Sequence, residues 1–207
     1  MRNGVLVAMD APVLVIHGGA GVERAGMTPA DEAAARTALE AALRAGHAQL
    51  KAGKPALEAV TAAVSVLEDA PQFNAGRGAV FTHDGRNELD ASIMDGASGK
   101  AGAVAGVGRV RNPIQLARAV MDRSRHVMMV GAGAEAFAAE QGVELADPSW
   151  FRTEKRWQQL QNALKEEQQA QASHTPQDLP GKAYFGTVGA LALDAKGQLA
   201  AGTSTGG

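Results

Sequence analysis

The stretch GTVGALALDAKGQLAAGTSTGG, residues 186–207, carries the pattern on which the fold prediction depends. Two runs of small and apolar residues, Thr187 to Leu193 and Gln198 to Thr203, flank a polar turn with a glycine. This arrangement is typical of two antiparallel strands joined by a short loop. We therefore predict a β-hairpin that leads into Gly206 and Gly207, two glycines at which backbone amides can approach a substrate.

The hairpin opens at Thr187, which follows Gly186 and a segment, 170–180, with almost no large apolar residue. A threonine at the start of a strand is usually structural. Cleavage before Thr187, however, would free an α-amino group with a pKa of about 7.7 to 8.0, which can act as the general base for the hydroxyl of the same residue. The glycine before it accepts the strained backbone that attack on its carbonyl requires. The hairpin would also bring Thr205 beside Thr187, which favours the catalytic interpretation.

Helix signals and strand signals occur in blocks upstream of the hairpin. N-caps and prolines at first helical positions start helices near Thr28, Pro55 and Asn112, and residues 76–108 alternate apolar pieces with glycine breaks, as antiparallel strands do. The remaining predicted elements are strands at 13–16 and 126–130 and helices at 132–141 and 151–171. This order indicates an α+β fold with sheets covered by helices, in a single domain over 1–207.

Residues 165–183 are predicted to form a mobile linker, because a polar stretch leads there into a segment that offers little to a core. With cleavage before Thr187, residues 1–186 would form one subunit, and residues 187–207 would begin a second subunit.

The composition restricts the class of partner. Twenty basic and 22 acidic residues give a net charge of -2, which argues against a nucleic-acid partner and a membrane partner and favours a small molecule or dipeptide as substrate. The absence of cysteine excludes disulfides, thiolate metal sites and a cysteine nucleophile. The first residues lack the apolar core of a secretory signal, and no run approaches about 18 apolar residues, so we expect a cytoplasmic protein.

Five blocks of the sequence appear in the order in which plant-type L-asparaginases and isoaspartyl peptidases carry them. The blocks are HGGAG at 17–21, FNAGRG at 73–78, ELDASIMDG at 88–96, GTVG at 186–189 and TSTGG at 203–207. From about Pro12 to Gly207, the chain resembles this family of N-terminal-nucleophile hydrolases. The resemblance implies a four-layer αββα sandwich, autoproteolysis into two subunits, and hydrolysis of L-asparagine and β-aspartyl dipeptides through an acyl-enzyme without a catalytic cofactor.

The resemblance also implies residue roles. The catalytic group would comprise Thr187, Thr205 and Asn74, with self-cleavage between Gly186 and Thr187, a supporting loop of His17, Gly18 and Gly19, and substrate contacts at Gly206 and Gly207. A structural sodium ion would be held by the backbone carbonyls of Leu67, Glu68, Phe73, Ala75 and Arg77. The mature enzyme would be a homodimer of αβ units. We expect His17 to be a hydrogen-bonded structural histidine, since the amine of the nucleophile already supplies the base.

Members of the family continue well beyond the position of Gly207, where they carry further oxyanion-hole groups and the groups that clamp the substrate. The sandwich is therefore expected to be incomplete at the C-terminus, with an exposed sheet edge after the last strand. Three possibilities stay open: a truncated piece of a longer enzyme, a separate chain that supplies the rest of the β-subunit, or a non-catalytic scaffold or assembly protein.

Two other functions stay open. A glycosylasparaginase shares the nucleophile but takes a sugar-bearing asparagine. From a different class, GAGAEA at 131–136 fits the G-x-G-x-x-A form of a dinucleotide-binding fingerprint after a predicted strand. Such a fingerprint requires a parallel βαβ unit and an acid about 20 residues further on, near which Glu154 lies, but in a predicted helix.

Overall fold

The computed structural model describes residues 11–20, 27–173 and 186–207. These residues form a mixed α/β structure with one six-stranded sheet and five helices. The strands are β1 (Val13–His17), β2 (Leu89–Asp95), β3 (Ala101–Val107), β4 (Met128–Val130), β5 (Val188–Leu193) and β6 (Leu199–Gly206). The helices are α1 (Pro29–Lys51), α2 (Ala56–Asp69), α3 (Pro113–Arg123), α4 (Gly131–Glu140) and α5 (Glu154–Ser173).

The sheet has the strand order β1-β5-β6-β2-β3-β4, and every neighbouring pair is antiparallel except β3 and β4. The predicted hairpin is confirmed as β5 and β6, which pair from Val188 opposite Ser204 to Leu193 opposite Leu199. In the turn, the buried carboxylate of Asp194 accepts the backbone N–H groups of residues 196 and 198 at 2.9 and 3.0 Å. The hairpin therefore lies inside the sheet, next to β1 on one side and β2 on the other.

The expected exposed edge after the last strand is wrong. Strand β6 is bonded to β5 along one side and to β2 along the other, with Leu89 opposite Gly206 and Asp95 opposite Ala200. The edge expectation failed because it considered the hairpin alone, whereas the strand that covers this side comes from a segment more than a hundred residues earlier.

One face of the sheet is covered by helices. Helix α2 packs on β5 and β6, α3 packs on β2 and β3, and α1 lies against α2 and β1. The predicted apolar face of α2 is confirmed, because Val60, Val64 and Leu67 are fully buried. Small residues bring the layers together: a Cβ at Gly102 would lie 2.1 Å from the carbonyl oxygen of Ala117 in α3.

The other face of the sheet, which we call the open face, is not covered by any element in the described part of the chain. It carries seven large apolar side chains that are 47–60% exposed, namely Val13, Val15, Met94, Met128, Val130, Leu191 and Leu199. The described residues thus form one sheet and one helical layer, which are two of the four layers that the resemblance implies.

Helix α5 covers part of the segment that we predicted to be a linker. Residues 165–173 continue this helix, because their lysine, glutamate, glutamine and alanine residues favour helix. Up to residue 171 they also belong to the helix predicted over 151–171, and the mobility predicted for 165–183 stays a prediction. The rest of the predicted linker, 174–183, lies outside the described residues. None of the helices in the described ranges combines the length and the apolar character needed to cross a membrane.

Candidate active site

The peptide bond between Gly186 and Thr187 lies immediately before β5, and Gly186 is buried. The carbonyl oxygen of Gly186 accepts two hydrogen bonds, from Asn74 Nδ2 at 2.9 Å and from Thr205 Oγ1 at 3.1 Å. The side chain of Asn74 is itself oriented, since its Oδ1 accepts the backbone N–H of Val80 at 2.9 Å. Two fixed donors on one carbonyl polarise it and are placed to stabilise negative charge on that oxygen.

The hydroxyl groups of Thr187 and Thr205 meet across the hairpin, as the sequence predicted. Thr187 Oγ1 donates to Thr205 Oγ1 over 3.2 Å, and the latter hydroxyl donates in turn to the carbonyl of Gly186. The possible nucleophile, its neighbouring threonine and the possible scissile carbonyl therefore form one hydrogen-bonded group. Such an arrangement can support attack of a hydroxyl on the preceding carbonyl.

The glycine loop after β1 packs against this junction. Gly19 has a φ of +112°, and a Cβ there would lie 3.4 Å from Gly186 Cα and 3.6 Å from the nitrogen of Thr187. A Cβ at Gly18 would lie 3.0 Å from the side chains of Leu39 and Phe73. The loop thus approaches the junction with backbone alone, and a side chain at position 19 would be both strained and close to the bond.

The imidazole of His17 stands on the open face, because β1 alternates and the exposed residues 13, 15 and 17 share that side. We find no hydrogen bond from its ring to another residue in the described ranges. No neighbouring element of the described chain covers that side, so the expectation of a hydrogen-bonded structural histidine stays a prediction.

The glycines at the end of β6 allow close packing. A Cβ at Gly206 would lie 2.5 Å from Ala79 Cβ, and one at Gly207 would lie 2.7 Å from Val80 Cγ2. The backbone N–H of Gly207 donates to the carbonyl of Glu88 at 3.0 Å. These contacts hold the segment that orients Asn74, and they leave the predicted substrate contacts of the two glycines as a prediction.

Behind β6, on the helix-covered side, lies a buried carboxyl group that the sequence analysis considered only for its backbone carbonyl. Glu68 is fully buried, and its Oε1 accepts the N–H of Ile114 at 2.9 Å, near the start of α3. Its Oε2 has no hydrogen-bond partner among the described residues. Burial raises the pKa of Glu68 to about 8, which the nearby hydroxyl of Ser204 partly offsets. The sequence could have predicted the burial of this carboxyl group, since Glu68 follows Val64 by four residues on the apolar face of α2.

The loop that contains the predicted sodium ligands folds closely on itself. Gly76 has a φ of +50°, and a Cβ there would lie 2.4 Å from the carbonyl oxygen of Glu68. A Cβ at Gly78 would lie 2.1 Å from the carbonyl oxygen of Phe73. A metal site built from side chains is a different kind of site. In the described part of the chain, no three or more His, Cys, Asp or Glu residues lie together in a way that could hold a metal ion.

The surroundings of 131–136 do not fit a dinucleotide site. Helix α4 does begin at Gly131 after β4, but the chain that follows it forms only an antiparallel bridge, between Leu145 and Val110. The carboxylate of Glu135, within the fingerprint, accepts the N–H groups of residues 108 and 109 at 2.7 and 3.0 Å. Glu154 is the first residue of α5 rather than a strand end. The parallel unit of the described residues, β3-α3-β4, ends where the fingerprint begins, so the fingerprint does not open the parallel βαβ unit that it requires.

Comparison with known proteins places this geometry in context. A family model described as Asparaginase matches residues 10–207. The chain is 51% identical to an isoaspartyl peptidase of Escherichia coli (strain K12) over 200 residues, which are 96% of this chain and 62% of that protein. It is 42% identical to an isoaspartyl peptidase/L-asparaginase of Rattus norvegicus, over 94% of this chain and 56% of that protein.

A plant-type L-asparaginase of Pyrococcus abyssi is 42% identical over 200 residues, which cover 94% of this chain and 63% of that protein. The chain therefore spans less than two thirds of the length of these curated relatives. The range matched by the family model, 10–207, spans the junction described above.

Proposed function

The chain belongs to the asparaginase family, and from this premise we propose that it is part of an autoproteolytically activated threonine amidohydrolase. Its substrates are L-asparagine and β-aspartyl dipeptides, a class suggested by the names of its relatives, isoaspartyl peptidase and L-asparaginase. The observation that carries the proposal is the Gly186 carbonyl, held by Asn74 and Thr205 beside the hydroxyl of Thr187.

In the proposed self-cleavage, Thr187 Oγ1 attacks the carbonyl carbon of Gly186. The hydroxyl proton moves to the amide nitrogen of Thr187, through the neighbouring threonine or a water molecule, and the C–N bond breaks to leave an ester and a free α-amine. Water then hydrolyses the ester and releases the carboxylate of Gly186. Asn74 and Thr205 stabilise the oxyanion in both steps, because both donate to the oxygen on which the charge develops.

In the proposed turnover, the free amine of Thr187 removes the proton of its own hydroxyl, which attacks the side-chain carbonyl of asparagine. Ammonia leaves, and water hydrolyses the aspartyl ester to aspartate. A β-aspartyl dipeptide follows the same course with an amino acid as the leaving group. One residue supplies both nucleophile and base, so the scheme needs no catalytic cofactor.

The proposed whole enzyme is an αββα sandwich in a homodimer of αβ units, with a second sheet packed on the open face. Support comes from the row of half-exposed apolar side chains there, since contiguous apolar patches on a sheet are normally covered. The second sheet would come from further polypeptide or from a separate chain, in line with the greater length of the relatives. Sedimentation analysis of the chain extended to that length tests for the dimer.

A structural sodium ion is proposed for the loop that contains Leu67, Glu68, Phe73, Ala75 and Arg77. The close approach of two of these carbonyls to Gly76 and Gly78 supports a backbone-lined cation site. The ion would hold the loop that carries Asn74. A melting temperature that does not differ between sodium and choline chloride would contradict this assignment. A cytoplasmic location, the glycosylasparaginase alternative and the scaffold alternative stay predictions from the sequence.

Intact mass tests the proposed function without a known substrate. Purified protein, fresh and after days at neutral pH, should yield a fragment that ends at Gly186 and one that begins at Thr187. Thr187→Ala should abolish both fragments, because the attacking hydroxyl is gone, whereas Thr203→Ala, which alters another hydroxyl of the same hairpin, should leave them. Cleavage at the same bond in Thr187→Ala would overturn the proposal, as would uncut wild-type protein in a chain extended to the length of its relatives.

A further inference from the structure

A cavity of about 450 Å³ lies beside the proposed scissile bond, and the scheme above uses none of its charged lining residues. It is bounded by α1, the first turn of α5 and the glycine loop after β1, and Gly186 and Asn74 form part of its wall. Its charged lining residues are Asp31, Lys155 and Arg156. The cavity therefore joins the cleavage junction to a charged region.

Two of these three charges compensate each other. Lys155 Nζ lies 3.8 Å from a carboxylate oxygen of Asp31. The pKa of Asp31 is lowered, first by the hydrogen bond from the hydroxyl of Thr28 and then by the charge of Lys155, so this carboxylate stays ionised near neutral pH. The positive charge of Arg156 is what remains.

Arg156 is held in place by neutral acceptors. Its Nε donates to the carbonyl of Gly78 at 2.8 Å, and its Nη1 donates to Gln159 Oε1 at 3.0 Å. No carboxylate of the described ranges forms an ion pair with it. Burial lowers its pKa, yet an arginine remains protonated at neutral pH. A fixed, partly desolvated guanidinium that no described carboxylate neutralises favours the entry of an anion.

The backbone around Arg156 adds to the positive potential. Lys155 and Arg156 both lie in the first turn of α5, where the helix dipole is positive rather than negative. Glu154, in the same turn, is exposed and accepts a hydrogen bond from Gln158 at 2.7 Å. The guanidinium therefore suits a carboxylate, which it can bind with two parallel hydrogen bonds.

Self-cleavage would create such a carboxylate next to the cavity. The oxygen of Gly186 is now buried between the neutral donors Asn74 and Thr205. A carboxylate that stayed there would carry a charge with no cationic partner and would fill the position that the substrate carbonyl needs. If the carboxylate moved into the adjoining cavity, it would gain a cationic partner and would leave the position of the substrate carbonyl free.

We propose that this cavity is a carboxylate-binding site anchored by Arg156, and that its ligand is the new C-terminal carboxylate of Gly186. The second part rests on the proposed function. In this role Arg156 holds the released end of the first subunit away from Thr187, and so clears the site for substrate.

The first experiment is independent of cleavage and uses Thr187→Ala protein with acetate as the probe. Arg156 modification by phenylglyoxal is followed by peptide mass, with sodium chloride at equal ionic strength as reference and exposed Arg44 as internal control. Acetate should slow modification of Arg156 at least threefold and leave Arg44 unchanged. Equal rates with acetate and chloride would overturn the carboxylate site, whether or not the wild-type protein cleaves itself.

The second experiment uses cleaved wild-type protein. Arg156 should be at least threefold less reactive there than in Thr187→Ala protein with no acetate added, and acetate should protect it no further. Carboxypeptidase should remove Gly186 several-fold faster from Arg156→Gln than from Arg44→Gln protein. Protection by acetate alone would overturn Gly186 as the ligand and identify a free carboxylate instead. Wild-type protein that stays uncut would count against the proposed function, and the acetate experiment would still decide the site.

Discussion

Toward the helices, β6 presents Ala200, Gly202 and Ser204; toward the open face, the same strand presents Thr203 and Thr205. The first set is buried under α2 and α3, and the second set carries the hydroxyl that touches both Thr187 and the carbonyl of Gly186. Successive side chains of a strand point to opposite sides. One strand can therefore hold the core and build the site, and the two contributions can be altered separately.

The largest expected effect contrasts two leucines on opposite faces. Leu89 is fully buried under the helices, whereas Leu199 is 49% exposed on the open face. Leu89→Ala should lower the free energy of unfolding by about 2 to 5 kcal/mol, since it leaves a cavity, and Leu199→Ala should change it by less than about 0.5 kcal/mol. Urea unfolding of both variants measures the difference. An equal decrease in the free energy of unfolding for both variants would mean that the open face is already covered in this chain.

The next contrast compares two threonines of β6 by the rate of self-cleavage. Thr205→Val keeps the shape of the side chain but removes the donor to the Gly186 carbonyl, so self-cleavage should slow by about 10² to 10³. Thr203→Val, two residues away on the same face, removes a hydroxyl bonded to Ser92 and should cleave at nearly the wild-type rate. Time courses of intact mass give both rates. Similar rates for the two variants would rule out a role for the Thr205 hydroxyl in stabilising the oxyanion.

The smallest effect, counted per pH unit, tests the buried side of β6. The pKa of Glu68 is about 8 in the folded protein against 4.5 ordinarily, mainly because of burial. Between these values the unfolded chain loses a proton that the folded protein keeps, so the free energy of unfolding should fall as pH rises, by at most about 1.4 kcal/mol per unit. Glu68→Gln should remove this slope, and Glu58→Gln, at a half-exposed position of the same helix, should retain it. Urea unfolding from pH 5 to 8 measures the free energy of unfolding of each variant. The same dependence on pH in wild type and Glu68→Gln would contradict the raised pKa of Glu68.

Local patterns predicted much of the fold. The turn at Asp194, the N-cap at Thr28 and the apolar face of α2 each depend on residues within a few positions, and the structure has all three. For residues 165–171 the sequence predicted both the end of a helix and the start of a mobile linker. The structure has the helix, in line with the helix propensity of these residues, and the mobility stays a prediction.

Long-range pairing could not be read from the residues alone. Asn74 lies 112 positions before Gly186, and only the family resemblance suggested that they meet. The pairing of β2 with β6 was missed, and with it the protected position of the hairpin. Arg156 was missed as well, since a lone arginine in a polar helix looks solvated until the fold places Gly78 and a cavity beside it.

Both hydrogen bonds that the described residues donate to the Gly186 carbonyl come from the chain that contains this bond. In the proposed scheme the bond-breaking step is therefore intramolecular, and once the site has formed its rate does not depend on the protein concentration. Self-cleavage would begin when the distant segment with Asn74 has packed against the hairpin. It would occur once in each chain, because hydrolysis of the ester makes it irreversible. In the proposed scheme, folding of the chain would therefore set the onset of self-cleavage.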